Sequence, residues 1–132
     1  MMVIVLDTSA AVEIVLQRKK GEELARYIAD ADWVITPRLF IPEITNVFWK
    51  YHMVSDMPVD ICETCIEKAI VIPDDYANEA ELYKEAFALG CLSQKPVYDM
   101  FFLVLARRNN ACLLTQDKSL KENAKKFSIR VI

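Results

Sequence analysis

Val3-Ile4-Val5-Leu6-Asp7-Thr8-Ser9 is the stretch on which the fold turns. Four consecutive apolar residues, three of them β-branched, read as a short strand buried on both faces, as parallel strands are. Asp7-Thr8-Ser9 opens a helix to about Leu16, with Ala11, Ile14 and Val15 at helical spacing. Arg18-Lys19-Lys20-Gly21 stops it with cations and a glycine. The same alternation continues outward. Glu22 to Ala31 predicts a helix, and Trp33 to Thr36 a second strand that Pro37 stops. Pro42 to about Met53 predicts a helix with proline in its first turn. Val59 to Ala69 is a further helix, Ile70-Val71-Ile72 a third strand and Tyr76 to Leu89 a helix. Tyr98 to Arg108 is a helix, apolar from Met100 to Ala106 and therefore buried on most sides. Ala111 to Leu114 is a fourth strand, Lys118 to Phe127 a helix and Ile129 to Ile132 a fifth strand. Strands alternating with helices predict one α/β domain over residues 1–132, with a mainly parallel five-stranded sheet between helical layers.

Composition narrows the function. The 132 residues are 54% hydrophobic and 27% charged, an ordinary globular balance. With 16 basic against 19 acidic residues and a net charge of −3, the chain lacks the basic footprint of a duplex-DNA binder. Two glycines, Gly21 and Gly90, exclude a glycine-rich phosphate loop. One histidine, His52, excludes a histidine-rich metal site. No secretory leader and no membrane span are read from the sequence, so the expected compartment is the cytoplasm, with reduced thiols. Cys62-x-x-Cys65 has no regularly spaced second pair, which favours buried thiols over zinc.

The acids are informative by position. Asp7 follows the first strand and Asp117 the fourth, which puts both at the C-terminal edge of a parallel sheet, where open α/β sheets bind ligands. Asp99 starts the buried apolar helix, and Glu43 lies in the first turn of the Pro42 helix. Each has a plain alternative: aspartate caps helices, and glutamate complements a helix dipole. Ile44, Val47, Phe48 and Tyr51 form one stripe and leave Glu43, Asn46 and Lys50 on another face, turned either to solvent or to a cleft.

Taken together, four stretches resemble the acidic motifs of PIN domains, and most of all the VapC-like ribonuclease toxins of VapBC-type toxin–antitoxin modules. They are Val5-Leu6-Asp7-Thr8-Ser9, Pro42-Glu43-Ile44-Thr45-Asn46, the run from Tyr98-Asp99 to Arg107-Arg108, and Leu113-Leu114-Thr115-Gln116-Asp117-Lys118-Ser119-Leu120. They occur in the family's order across the whole chain. An aspartate opening an apolar helix that ends in paired arginines, followed by strand-Thr-x-Asp-x-x-Leu, is the most specific part. Pro42 stands where a small residue is common, and Asn109-Asn110 replaces a frequent glycine.

The resemblance implies a Mg²⁺- or Mn²⁺-dependent endoribonuclease leaving 5′-phosphate and 3′-hydroxyl ends. Asp7 and Asp99 would be the principal metal ligands, with Glu43 and Asp117 completing the acidic site. Ser9, Asn46 and Thr115 would support them, and Arg107, Arg108 and Lys118 would contact RNA backbone. Oxygen donors without histidine or thiolate suit those hard cations. A bound cation would also draw phosphate to an acidic protein. Lys121, Lys125 and Lys126 read as a solvated helix face, and Trp33, Trp49, Phe101 and Phe102 as core aromatics rather than stacking platforms.

Rival readings fit less well. A haloacid-dehalogenase-type phosphohydrolase needs Asp-x-Asp where this chain has Asp7-Thr8-Ser9. A response-regulator receiver needs an acidic pair after the first strand and a lysine after the fifth. A catalytically inactive PIN-fold binding module would not need all four acids. The resemblance further implies a homodimer and a small antitoxin partner. Ile61, Ile66, Leu82, Tyr83 and Phe87, in the motif-free segment from Val59 to Leu92, exceed what a small core needs and predict an exposed apolar patch.

Overall fold

The computed structural model describes residues 1–132. Four parallel strands form the sheet: β1 (Val3–Leu6), β2 (Trp33–Pro37), β3 (Asp75–Ala77) and β4 (Cys112–Leu114), in the order β3-β2-β1-β4. Seven helices accompany it: α1 (Thr8–Val15), α2 (Lys19–Asp30), α3 (Phe40–Ser55), α4 (Val59–Ile70), α5 (Tyr83–Ser93), α6 (Val97–Arg108) and α7 (Lys118–Lys126).

The period-2 alternation of a strand divides the core. Val3 and Val5 of β1 face one layer with Met100, Leu103 and Leu120, which belong to α6 and α7. Ile4 and Leu6 face the other with Ala11, Leu24, Ile44 and Phe48, from α1, α2 and α3. Continuous apolar runs are required because β1 is buried on both faces. Connections through α1–α4 therefore cover one face, and those through α5 and α6 the other. Chain order runs outward from β1 to β2 and β3, then returns across the sheet to β4 on the far side of β1. The direction of winding reverses between β1 and β4, which opens a crevice at their C-terminal ends.

The five-stranded expectation is corrected to four strands. Ile70-Val71-Ile72 is not a strand: Ile70 ends α4, and Ile72 N–H bonds back to the Ala69 carbonyl at 3.1 Å. The third strand lies a few residues later at Asp75–Ala77, where an edge position needs no apolar run, and Asp75 is exposed. The helix expected from Tyr76 consequently begins later. Asn78 caps a short 3₁₀ turn at Glu79–Glu81 before α5. The final apolar segment pairs with β4 through one bridge, Leu113 to Val131, rather than as a full strand.

Gly21 also differs from its expected role as a helix stop. It lies inside α2 where that helix crosses α1, and a Cβ there would stand 2.1 Å from the Glu13 carbonyl oxygen. Backbone cannot yield as a flexible side chain does. Gly21→Ala is expected to destabilise the fold by about 1–3 kcal/mol, read as a lower thermal midpoint.

Candidate active site

Four segments deliver carboxylates to the crevice. Asp7 leaves the end of β1, anchored by its N–H to the Leu114 carbonyl of β4 at 3.0 Å. Its own carbonyl starts α1 by accepting from Ala10 and Ala11 at 3.1 and 3.2 Å. Asp117 follows β4 and caps α7, Oδ1 accepting from Leu120 N–H at 3.1 Å. Glu43 comes from the first turn of α3 on one layer, and Asp99 from the first turn of α6 on the other. All four line one cleft of about 320 Å³ together with Thr8, Ser9 and Asn46, and no lysine or arginine lines it.

The helix-cap alternative thus separates the three aspartates. Asp117 does cap, with one oxygen. Asp7 holds the cap position of α1 without a side-chain cap bond, its carboxylate being used elsewhere. Asp99 lies inside α6, whose cap position is Pro96, so capping does not account for it.

Asp7 is nearly fully buried. Its Oδ2 accepts from Ser9 Oγ and Thr115 Oγ1, each at 2.6 Å. Each hydroxyl has a single proton, so the 3.1 Å contact between the two hydroxyl oxygens is left without one. Ser9 Oγ also accepts from Gln116 N–H at 2.9 Å, and Thr115 Oγ1 from Asp117 N–H at 3.1 Å. The hydroxyls thereby fix Asp7 and the approach to Asp117 as one unit. On the opposite wall Thr8 Oγ1 donates to Glu43 Oε1 at 2.7 Å.

Electrostatics follow from this crowding. Burial pushes the Asp7 carboxyl up, against the Ser9 and Thr115 hydrogen bonds, and Asp117 adds repulsion. Glu43 is raised to about 7, chiefly by burial, with the Thr8 bond opposing and Asp7 and Asp99 adding repulsion. Asp99 is raised to about 6 by burial, then by Asp7 and Asp117. No three histidine, cysteine, aspartate or glutamate side chains form a ready-made metal cage. The donors that line the cleft are all oxygens, the ligand type that hard divalent cations take.

Of the other residues singled out in the sequence, Ser9 and Asn46 line the cleft, Thr115 is buried behind it on Asp7, and Lys118 starts α7 outside the lining. Arg107 and Arg108 do not reach it. They sit at the far end of α6, both paired with Glu85 of α5 at 2.9 and 2.7 Å. Thr8 was not distinguished in the sequence, and its position beside Asp7 was the only available signal. Cys62 and Cys65 are buried on α4, with the Cys62 thiol directed to the Phe48 carbonyl at 3.4 Å.

An open parallel sheet with carboxylates gathered at its switch point, and no cation among them, defines an acidic-cleft α/β domain. The PIN domain family model matches residues 4–126, and the chain belongs to that family. It is 28% identical over 127 residues to Ribonuclease VapC3 of Pyrobaculum aerophilum, covering 92% of this chain and 94% of that protein. The crystal structure of PAE2754 from Pyrobaculum aerophilum shares the fold, with a TM-score of 0.71 at 18% identity over 92% of this chain and 86% of that one.

Proposed function

We propose that this protein is a metal-dependent endoribonuclease of the VapC type, the toxin of a toxin–antitoxin pair. The observation that carries the reading is the convergence of Asp7, Glu43, Asp99 and Asp117 in one cleft with no basic residue to neutralise them. Kinship with a protein named as a ribonuclease supports RNA as the substrate.

Asp7 and Asp99 would hold the cation, with Asp117 and Glu43 completing its surroundings. A divalent cation, when bound, neutralises a phosphodiester oxygen and lowers the pKa of a water. Ser9 and Thr115 keep Asp7 oriented, which limits how far the site must rearrange on loading. Asp117 caps α7 with Oδ1, which leaves its other oxygen free to serve the cleft that the residue lines. Burial and repulsion from Asp7 and Asp99 hold Glu43 at about 7 in the cation-free cleft, and a bound cation would favour its ionised form. Asn46 lines the cleft, and its amide would donate to a phosphate oxygen there. The test is product chemistry: RNA incubated with the protein and Mg²⁺ or Mn²⁺ should give 5′-phosphate and 3′-hydroxyl ends. Cyclic 2′,3′-phosphate ends would contradict this reading, since they require attack by the ribose hydroxyl rather than by water.

The chain is further proposed to act in the cytoplasm as a homodimer that binds a small antitoxin. Its four cysteines are all free. No helix is long and apolar enough to cross a membrane. Within the apolar surplus noted above, Leu82 is buried and Ile66 half-buried, whereas Ile61, Tyr83 and Phe87 are exposed. Tyr83, Phe87, Val97 and Phe101 frame a groove of about 440 Å³ between α5 and α6, with Phe87 66% exposed. A C₂ pairing would cover it. Sedimentation at micromolar concentration is expected to give about twice the 15.2 kDa chain mass; a species at the chain mass contradicts the dimer.

A further inference from the structure

Trp49 departs from the core role expected of it. It is 56% exposed on α3, whereas Phe48 beside it is fully buried. Pro42, Thr45, Asn46 and Trp49 line a shallow hollow of about 520 Å³. Asn46 also lines the acidic cleft, so the two depressions share a wall. Along a helix, Glu43, Asn46 and Trp49 succeed one another at three-residue steps, each a rise of about 4.5 Å. Lys50 lies four residues beyond Asn46, exposed and in none of the ion pairs of the structure. One turn past Asn46, α3 therefore carries the indole on one flank and the unpaired ammonium on the other, about 100° apart around the helix, with Lys50 lining a second depression that shares Val47 with the cleft.

Resting on the nuclease reading, we propose that Trp49 stacks a nucleobase of single-stranded RNA next to the phosphodiester held in the acidic cleft, while Lys50 takes a neighbouring phosphate. Two features favour this occupant over a protein segment. The hollow shares Asn46 with the acidic cleft, and it is shallow rather than groove-like. Every base has a π-face, so the contact anchors the strand without selecting sequence. It also explains how an acidic chain holds RNA away from the cleft.

The test uses the intact chain and a short mixed-sequence single-stranded RNA in Mg²⁺. Tryptophan emission of the wild type should be quenched on mixing. The quench should vanish in Trp49→Phe, which retains only Trp33. In cleavage kinetics Trp49→Ala should raise KM by about 5- to 150-fold, the equivalent of one lost stacking contact, with kcat little changed, and Trp49→Phe should recover most of the loss. Quenching that persists in Trp49→Phe, or a wild-type KM in Trp49→Ala, overturns the proposal. Cleavage by the wild type without a Trp49-dependent quench removes the stacking and leaves the nuclease. Absence of both removes both. If Trp49→Ala instead loses self-association at unchanged KM, the face belongs to a second copy and the RNA contact is overturned.

Discussion

Asp99→Asn is expected to lower RNA cleavage by more than about a hundredfold while leaving the fold intact and the cation-free protein slightly more stable. Outer partners of a metal ligand alone are worth about 10- to 100-fold, and Asp99 is placed as a ligand itself. Asparagine keeps the shape and removes one charge from a mutually repelling set. In the folded protein Asp99 sits at about 6, against 3.8 for an unperturbed aspartate, because of burial and the nearby Asp7 and Asp117. Holding it ionised at neutral pH therefore opposes folding. Because the group is half-exposed, solvent screening reduces that cost to about 1 kcal/mol. Were Asp99 only a structural element of α6, activity would survive the substitution. Thermal midpoints and cleavage assays on the same preparations separate the two outcomes.

The second large effect is a stabilisation by divalent cation that grows with pH. Both Asp99 and Glu43 have folded-state pKa values above their unfolded ones of 3.8 and 4.5. Between those limits the folded state binds more protons than the unfolded state. The cleft's contribution to stability therefore falls as pH rises from about 4 through about 7, and then levels off. A divalent cation binds the ionised carboxylates and competes with those protons, so its stabilisation grows over the same interval. At a hundredfold excess over Kd it amounts to about 2.7 kcal/mol. Thermal midpoints with Mn²⁺ and with chelator should thus lie close together near pH 5 and far apart near pH 8. Equal separation at both pH values would mean that Asp99 and Glu43 take no part in binding.

The sequence was most legible where burial leaves one interpretation. Val3–Leu6 has no polar residue to mark an exposed face, and a strand buried on both faces is what forms. It was least legible at the sheet edge. Asp75-Tyr76-Ala77 needs no apolar run because only one side pairs, whereas Ile70 and Ile72 are apolar through packing at the end of α4. Gly21 after three cations has every local mark of a stop, and only the approach of α1 reveals its use. Asp7, Glu43, Asp99 and Asp117 were legible through strand ends, helix starts and motif order. Their supports were legible in part: Ser9 and Thr115 flank the motif acids, while Thr8 depends on how α1 faces α3. Arg107 and Arg108 lie outside the cleft and pair with Glu85, a partner too distant in sequence to be read from the motif. Trp49 was indistinguishable from a core aromatic because the buried Phe48 is its immediate neighbour.

One measurement bears most directly on the claim that these carboxylates form a cation-dependent nuclease site. A single preparation is stripped with chelator, assayed on labelled single-stranded RNA, reloaded with Mn²⁺ and assayed again, beside Asp7→Asn and Asp99→Asn treated identically. The account expects no cleavage after stripping, full recovery on reloading, and no recovery in either variant. Cleavage that survives chelation, or that either variant regains, would contradict it.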